Sequence, residues 1–136
     1  MRVRLSLHLP RERASVPLVR RILAAALGTV GVSEDCSEDI LLALAEACSN
    51  AVVHAQPADG YEVSVQIDGK QCLIEVLDTG GGFDPSVLPT VLPDLEESGR
   101  GLHIIRAVAD QFDLRSNTPT GMAVRFTKRL DQPSDN

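Results

Sequence analysis

The segment that decides the fold is Cys72-Leu73-Ile74-Glu75-Val76-Leu77, followed directly by Asp78-Thr79-Gly80-Gly81-Gly82-Phe83. The first six residues are an apolar run of strand length, and the next six place a carboxylate and three glycines where that strand ends. A carboxylate can accept a hydrogen bond from a purine amino group, and glycines let the backbone approach a ligand closely. Alone, such a pattern is more often a simple turn, so its meaning depends on the rest of the chain.

This strand belongs to a predicted hairpin. Residues 61–67 and 71–77 alternate, and they are joined by Asp68-Gly69, which is expected to supply the positive φ angles of a tight turn. Residues 2–9 alternate in the same way and predict another half-buried strand. A last pair of strands is predicted over residues 112–116 and 122–130.

Three helices are also predicted. The first begins at Ser15 and ends between Gly28 and Gly31. The second begins near Ser37, whose hydroxyl can cap it, and continues to about residue 55. The third covers residues 99–110 and carries an apolar side.

The order β-α-α-β-β-loop-α-β-β predicts an α+β two-layer sandwich, with a mixed, mostly antiparallel sheet and helices on one face. No strand-glycine-helix crossover surrounds residues 78–83, and no Gly-Lys-Ser/Thr occurs, which excludes a doubly wound nucleotide fold. Prolines exclude a regular helix over residues 83–97, where a long loop is expected. We expect one domain over residues 1–130 and a flexible C-terminal tail over residues 131–136.

Composition narrows the functional classes. The net charge of -6 argues against a nucleic-acid or anionic-membrane partner, since both need a basic surface. Three widely spaced cysteines, Cys36, Cys48 and Cys72, indicate reduced buried thiols rather than a metal or disulfide framework. No secretory signal and no apolar run of membrane-spanning length is visible, so we expect a soluble, cytoplasmic protein.

A polar strip follows the second predicted helix. Glu46, Asn50 and His54 are spaced four residues apart on a helix that is otherwise apolar nearly all round, with the small residues Ala43 and Ala47 between them. The strip is either a solvent-exposed stripe or the wall of a ligand cavity in which the alanines leave room. In a cavity, Asn50 could ligate a hard cation and Glu46 could act as a general base. His54 would contact phosphate or cap a hydrogen-bond network.

Two glycines mark the predicted start of the third helix, in Gly99-Arg100-Gly101-Leu102. Free backbone N–H groups and the helix dipole make such a start an anion site. Arg100 could hold a phosphate there, or it is a solvated side chain near a loop.

Together, in this order, the three segments resemble the motifs of the GHKL ATP-binding superfamily, which has the Bergerat fold. Glu46-x-x-x-Asn50-Ala51-x-x-His54 resembles its N box, Asp78-x-Gly80-x-Gly82 its G1 box, and Gly99-Arg100-Gly101-Leu102 its G2 box. Thr120-Gly121-Met122 departs from the Gly-Thr that the superfamily often has. Within the superfamily the chain is most similar to the bacterial anti-sigma-factor serine/threonine kinases, and the resemblance covers essentially the whole domain.

That resemblance implies an ATP- and Mg²⁺-dependent kinase, usually a homodimer, that phosphorylates a Ser or Thr of an anti-sigma-factor antagonist and alternatively sequesters a sigma factor. It implies that Asp78 binds the adenine amino group above Gly80 and Gly82, that Asn50 ligates Mg²⁺, and that Glu46 is the catalytic base. His54 and the segment Gly99-Arg100-Gly101-Leu102 would complete the nucleotide site.

Two alternatives stay open at this point. One is a nucleotide-binding regulator that sequesters partners without significant kinase activity. The other is a detached histidine-kinase catalytic domain that acts on a separate phosphoacceptor protein.

Overall fold

The structure is a computed structural model that describes residues 1–54, 60–78, 95–118 and 121–130. For residues 54, 95–101, 116–118 and 121–122 it describes the backbone and not the side chains. The elements are β1 (Val3–Pro10), α1 (Ser15–Val30), α2 (Glu34–His54), β2 (Gly60–Ile67), β3 (Gln71–Asp78), α3 (Leu95–Val108), β4 (Gln111–Thr118) and β5 (Gly121–Arg129). This is the predicted order of elements.

The five strands form one sheet in the order β1-β2-β3-β5-β4. All four pairings among the described residues are antiparallel, so this part of the sheet is antiparallel throughout rather than mixed. The central strand is β3, which pairs with β2 on one side and β5 on the other. Its last residue, Asp78, lies opposite Tyr61 of β2 and Met122 of β5.

The core lies between the sheet and the three helices. Along β3, the alternate residues Cys72, Ile74 and Val76 are buried, and α2 packs against β2 and β3 on that face. Each such aliphatic side chain contributes about 1.5–3 kcal/mol when it is fully removed from water. α2 also packs against α1 and α3, so it is the central helix of the second layer. The predicted α+β two-layer fold is confirmed.

The ends of α1 agree with the prediction, whereas the start of α2 does not. α1 begins at Ser15, and Gly31 closes it in the left-handed region at φ 90°, where glycine carries no steric penalty. α2 begins at Glu34, three residues before Ser37. The cap is Ser33, whose hydroxyl oxygen accepts from the Cys36 N–H at 3.3 Å, so the assignment of the cap to Ser37 was wrong.

The start of α3 also differs from the prediction. The helix begins at Leu95, so Gly99 and Gly101 lie inside it rather than at its N-terminus. Leu95, Glu96 and Glu97 are good helix formers, and acidic residues are favourable in a first turn. The predicted loop over residues 83–97 is therefore helical from residue 95, and its residues 83–94 lie outside the described part.

The β2–β3 hairpin forms as predicted, but its turn has another conformation. Among the described residues only Gly31 has a positive φ, so the positive angles expected at Asp68-Gly69 are absent. Instead the Asp68 carboxylate accepts from the backbone N–H groups of Lys70 and Gln71, each at 2.8 Å. These two amides hold the pKa of Asp68 below its ordinary value of 3.8. The side chain thus supplies what the backbone angles were expected to supply.

The prediction that Cys36, Cys48 and Cys72 are buried is confirmed. Burial raises the pKa of Cys72 from 9.0 to about 12. Across the described part of the chain, no helix has the length and apolar character needed to cross a membrane. The predicted tail over residues 131–136 lies outside the described residues.

Candidate functional site

Asp78 ends the central strand with its side chain in the layer between sheet and helices. It is 3% exposed and, with Ser15, is one of two buried polar or charged residues in the described part of the chain. Its parity matches that of Val76 and Ile74, because successive strand residues point to opposite faces. The prediction that Asp78 faces the helices is confirmed.

Glu46 and Asn50 lie one turn apart on α2 and are both half-buried. They are placed between the solvent-facing side of the helix, with Leu42 and Val53, and its buried side, with Ala47. Two oxygen-bearing side chains therefore border the core without being enclosed by it. This arrangement leaves both accessible to a ligand at the edge of the helical layer.

The alanines of this strip do not leave open space. Ala43 and Ala47 are each 0% exposed, so protein atoms cover both side chains. Small residues let neighbouring elements approach closely, and here α2 packs between α1 and α3. The expectation that these two positions widen a cavity was wrong.

Buried hydrogen bonds connect the start of α1 to the sheet beside Asp78, next to α2. The Ser15 hydroxyl donates to the Glu12 carbonyl and also contacts the Tyr61 hydroxyl, both at 2.6 Å. Because a serine hydroxyl has one proton, Tyr61 is the donor to Ser15. The fully buried Cys48 side chain of α2 lies beside the Tyr61 hydroxyl.

These groups are held in their neutral forms. Burial raises the pKa of Cys48 from 9.0 to about 12. Burial likewise raises the pKa of Tyr61 from 10.0 to about 12. Near neutral pH the thiol and the phenol therefore both keep their protons, and the phenol can donate to Ser15.

The C-terminal end of α2 is held by Arg11, which donates from Nη1 to the Val52 carbonyl at 3.2 Å. That carbonyl is one of the last four of the helix, which have no partner within the helix. His54 is the final residue of α2, and its side chain lies outside the described part of the structure. Its role in a nucleotide site therefore stays a prediction.

The remaining predicted site residues lie partly outside the described residues. Gly80 and Gly82 fall in the segment 79–94, which the structure does not describe. Gly99, Arg100 and Gly101 have a described helical backbone in α3, and Leu102 is half-buried. α3 packs against α2, so the structure brings the backbone of the third motif next to the helix that carries the first.

Sequence reasoning missed Tyr61 and Ser15. The signal for Tyr61 was present: it is the only tyrosine in the chain, and a hairpin that pairs Ile67 with Cys72 places it opposite Asp78. Ser15 was identified as a helix start and not as a buried hydrogen-bonding group. Its contact spans 46 positions of the sequence, and no local pattern indicates it.

A family model described as a histidine kinase-like ATPase domain matches residues 9–128. The match includes α1, α2, α3 and every strand in whole or in part.

The chain is similar over nearly its whole length to curated serine-protein kinases. It is 31% identical to serine-protein kinase RsbW of Bacillus velezensis, over 93% of this chain and 86% of that protein. It is also 31% identical to serine-protein kinase RsbW of Bacillus licheniformis, over 90% and 83%.

Two solved structures share the fold. One contains the RsbU and RsbW domains of Rv1364c from Mycobacterium tuberculosis, with a TM-score of 0.76 and 22% identity over 97% of this chain and 34% of that one. The other is the SiaB-SiaC complex from Pseudomonas aeruginosa, with a TM-score of 0.66 and 12% identity over 90% and 88%. At these identities the likeness concerns the fold alone.

Proposed function

We propose that this chain is an ATP-dependent anti-sigma-factor kinase. It belongs to the histidine kinase-like ATPase domain family and, within that family, to the RsbW-type serine-protein kinases. It phosphorylates a Ser or Thr of an anti-sigma-factor antagonist and alternatively sequesters a sigma factor, acting as a homodimer. The observation that carries the proposal is the placement of Asp78, a buried carboxylate at the end of the central strand, on the face that α2 covers.

The described side chains suit the two ends of a nucleotide. Asp78 accepts from the adenine amino group. Gly80 and Gly82 lie outside the described residues, and their part in the proposal, to let the backbone approach the nucleotide, rests on the sequence motif. Asn50 offers a neutral amide oxygen to Mg²⁺, which takes few protein ligands in phosphate sites. When bound, Mg²⁺ neutralises charge on the phosphates.

The third motif completes the site in this proposal. Gly99, Arg100, Gly101 and Leu102 hold the phosphates. Arg100 supplies positive charge, and the glycines permit close approach of the backbone. His54 contacts a phosphate or orders the end of α2.

Glu46 acts on the hydroxyl of the partner protein. The hydroxyl oxygen attacks the γ-phosphorus, the bond to the β-phosphate oxygen breaks and ADP leaves, and Glu46 takes the hydroxyl proton. A half-buried carboxylate suits this role, because it is reachable by a second protein. Transfer of this kind depends mainly on positioning and electrostatics, so few side chains are needed.

The test is transfer of labelled phosphate from ATP to candidate antagonist proteins, followed by acid treatment. Acid-stable label on the partner is expected, because phosphoserine and phosphothreonine survive acid. Acid-labile label would indicate a histidine kinase domain. No label, together with measurable ATP binding, would indicate a sequestering regulator without kinase activity.

Two variants separate the roles of the residues. Glu46→Ala should lower the transfer rate about 10²- to 10⁴-fold and leave ATP affinity unchanged, since it removes only the base. Asp78→Asn should weaken ATP binding about 10- to 100-fold, since it removes a charged acceptor. Glu38→Ala is the matched control, an exposed acidic residue of the same helix, and should change neither quantity.

A further inference from the structure

The candidate site is divided between two parts of the fold that must be held at a fixed separation. Asp78 belongs to the sheet, whereas Asn50 and Glu46 belong to α2. One bound nucleotide would have to reach both. A helix that shifts along its axis by one residue moves its side chains by about 1.5 Å, which is enough to spoil such a fit.

Two polar side-chain contacts in the described part of the structure join α2 to the sheet. Far from Asp78, the Cys36 thiol donates to the carbonyl of Arg129 on β5 at 3.4 Å. Next to Asp78, the Cys48 thiol lies beside the Tyr61 hydroxyl. Cys48 lies two residues from both Glu46 and Asn50 in the sequence.

Tyr61 connects both parts of the site. Its backbone pairs with Asp78, so directly opposite side chains on that face have Cβ atoms about 4.5–5.5 Å apart. Its hydroxyl meets α2 through Cys48 and the first turn of α1 through Ser15. Tyr61 is 2% exposed, so water does not compete for these hydrogen bonds.

We propose that Tyr61 is a positioning residue of the nucleotide site: its hydroxyl, held between Cys48 and Ser15, fixes α2 over the β2–β3 hairpin so that Asn50 and Asp78 can engage one nucleotide. This inference rests on the proposed function. Tyr61 donates to Ser15, and Ser15 donates to the Glu12 carbonyl, both at 2.6 Å. Hydrogen bonding in one direction specifies a single arrangement of the elements it joins.

The experiment measures Mg²⁺–ATP affinity by calorimetry and the free energy of unfolding by urea, for the full chain and its variants. Tyr61→Phe keeps the ring beside Asp78 and removes only the hydroxyl. It should lower ATP affinity about 3- to 10-fold, the equivalent of one hydrogen bond. Transfer to the partner should fall about 10- to 100-fold, because misplacement affects the reacting groups more strongly than it affects binding.

Matched thiol variants separate positioning from general stability. Cys48→Ala and Cys36→Ala each remove a buried thiol and its polar contact from α2, but only the first should lower ATP affinity. Ser15→Ala should weaken ATP binding in the same way as Tyr61→Phe, and Ser15→Thr, which keeps the hydroxyl, should restore it. If Tyr61→Phe is too unstable to measure, these variants decide the question.

The failures of the two proposals can be told apart. A wild-type protein that binds no Mg²⁺–ATP overturns the proposed function, and the positioning role with it. A wild-type protein that binds ATP, with Cys48→Ala and Ser15→Ala binding it equally well, overturns the positioning role alone. Equal loss of affinity in Cys48→Ala and Cys36→Ala also overturns it, because that result would be a general effect of weakening α2.

Discussion

The two ends of α2 are both connected to the sheet by a cysteine thiol, but the rest of their contacts differ in kind. At the N-terminal end, Ser33 caps the helix through the Cys36 N–H, only three residues away. Two acidic residues in the first turn, Glu34 and Asp35, favour the positive end of the helix dipole. Apart from the contact between Cys36 and Arg129, the side-chain hydrogen bonds described at this end join neighbouring residues.

At the C-terminal end the contacts are distant in sequence. Arg11 bonds to Val52 across 41 positions, and Cys48 lies beside Tyr61 of β2, which itself bonds to Ser15 of α1 across 46 positions. This is the end that carries Asn50. This C-terminal end of α2, called the site end below, therefore forms only once helices and sheet are assembled. Changes there should affect ligand binding as well as unfolding.

Alkaline pH should give the largest change in the free energy of unfolding. The pKa values of Cys48 and Tyr61 at the site end, and of Cys72 beyond it, are all raised to about 12 by burial. The folded chain keeps protons that the unfolded chain loses, so the stabilisation is complete below about pH 9 and is lost as pH rises toward 12. The free energy of unfolding should fall by about 1.4 kcal/mol per pH unit for each group ionised in the unfolded chain.

Urea unfolding between about pH 8 and pH 10.5, with a reductant present, measures this decline. Tyr61→Phe and Cys72→Val each remove one titrating group, at and away from the site end respectively. Both variants should show a shallower dependence on pH than the wild-type protein. Three identical slopes would contradict the assignment of the decline to these buried groups.

Much of the site end follows from strand geometry. Alternation along β3 is sufficient to place Asp78 on the covered face, because the side-chain period of a strand is two. Counting back from the hairpin turn places Tyr61 opposite it. The contacts of Tyr61 with Ser15 and Cys48 could not be derived in this way, because they depend on how α1 and α2 pack on the sheet.

The starts of the helices show where local signals fail. The sequence contains Ser33-Glu34-Asp35 and then Ser37-Glu38-Asp39, so the same capping signal occurs twice, four residues apart. The contact between Cys36 and Arg129 needs a helix that already exists at residue 36, and it favours the first signal. In α3, the glycines at 99 and 101 predicted a helix start at residue 99. The helix begins one turn earlier, at Leu95, because the helix formers Leu95, Glu96 and Glu97 precede the glycines.

The repeated capping signal gives the second prediction, which concerns the N-terminal end of α2. Ser33→Ala removes the acceptor of the Cys36 N–H and should lower the free energy of unfolding by about 1 kcal/mol. Ser37→Ala is the matched control, because it removes the same side chain from the interior of the helix and should change stability by less than about 0.5 kcal/mol. Neither variant should alter ATP affinity. If Ser37→Ala loses more stability than Ser33→Ala, Ser37 is the helix cap and the assignment to Ser33 is wrong.

The smallest effect on stability is expected at the other end, from Arg11. Arg11→Ala removes a cation and a donor from the last turn of α2 and should cost about 0.5 kcal/mol, less at high salt because the interaction is screened. Arg11→Lys keeps the charge and should recover part of that loss.

Mg²⁺–ATP affinity, measured beside stability, distinguishes Arg11 from Ser33. If the site end behaves as one assembly, Arg11→Ala should weaken Mg²⁺–ATP binding measurably although it destabilises the fold less than Ser33→Ala does. Stability and affinity would then rank the two variants in opposite orders. If stability and affinity rank the two variants in the same order, the two ends of α2 differ in the sequence separation of their contacts and not in their effect on ATP binding.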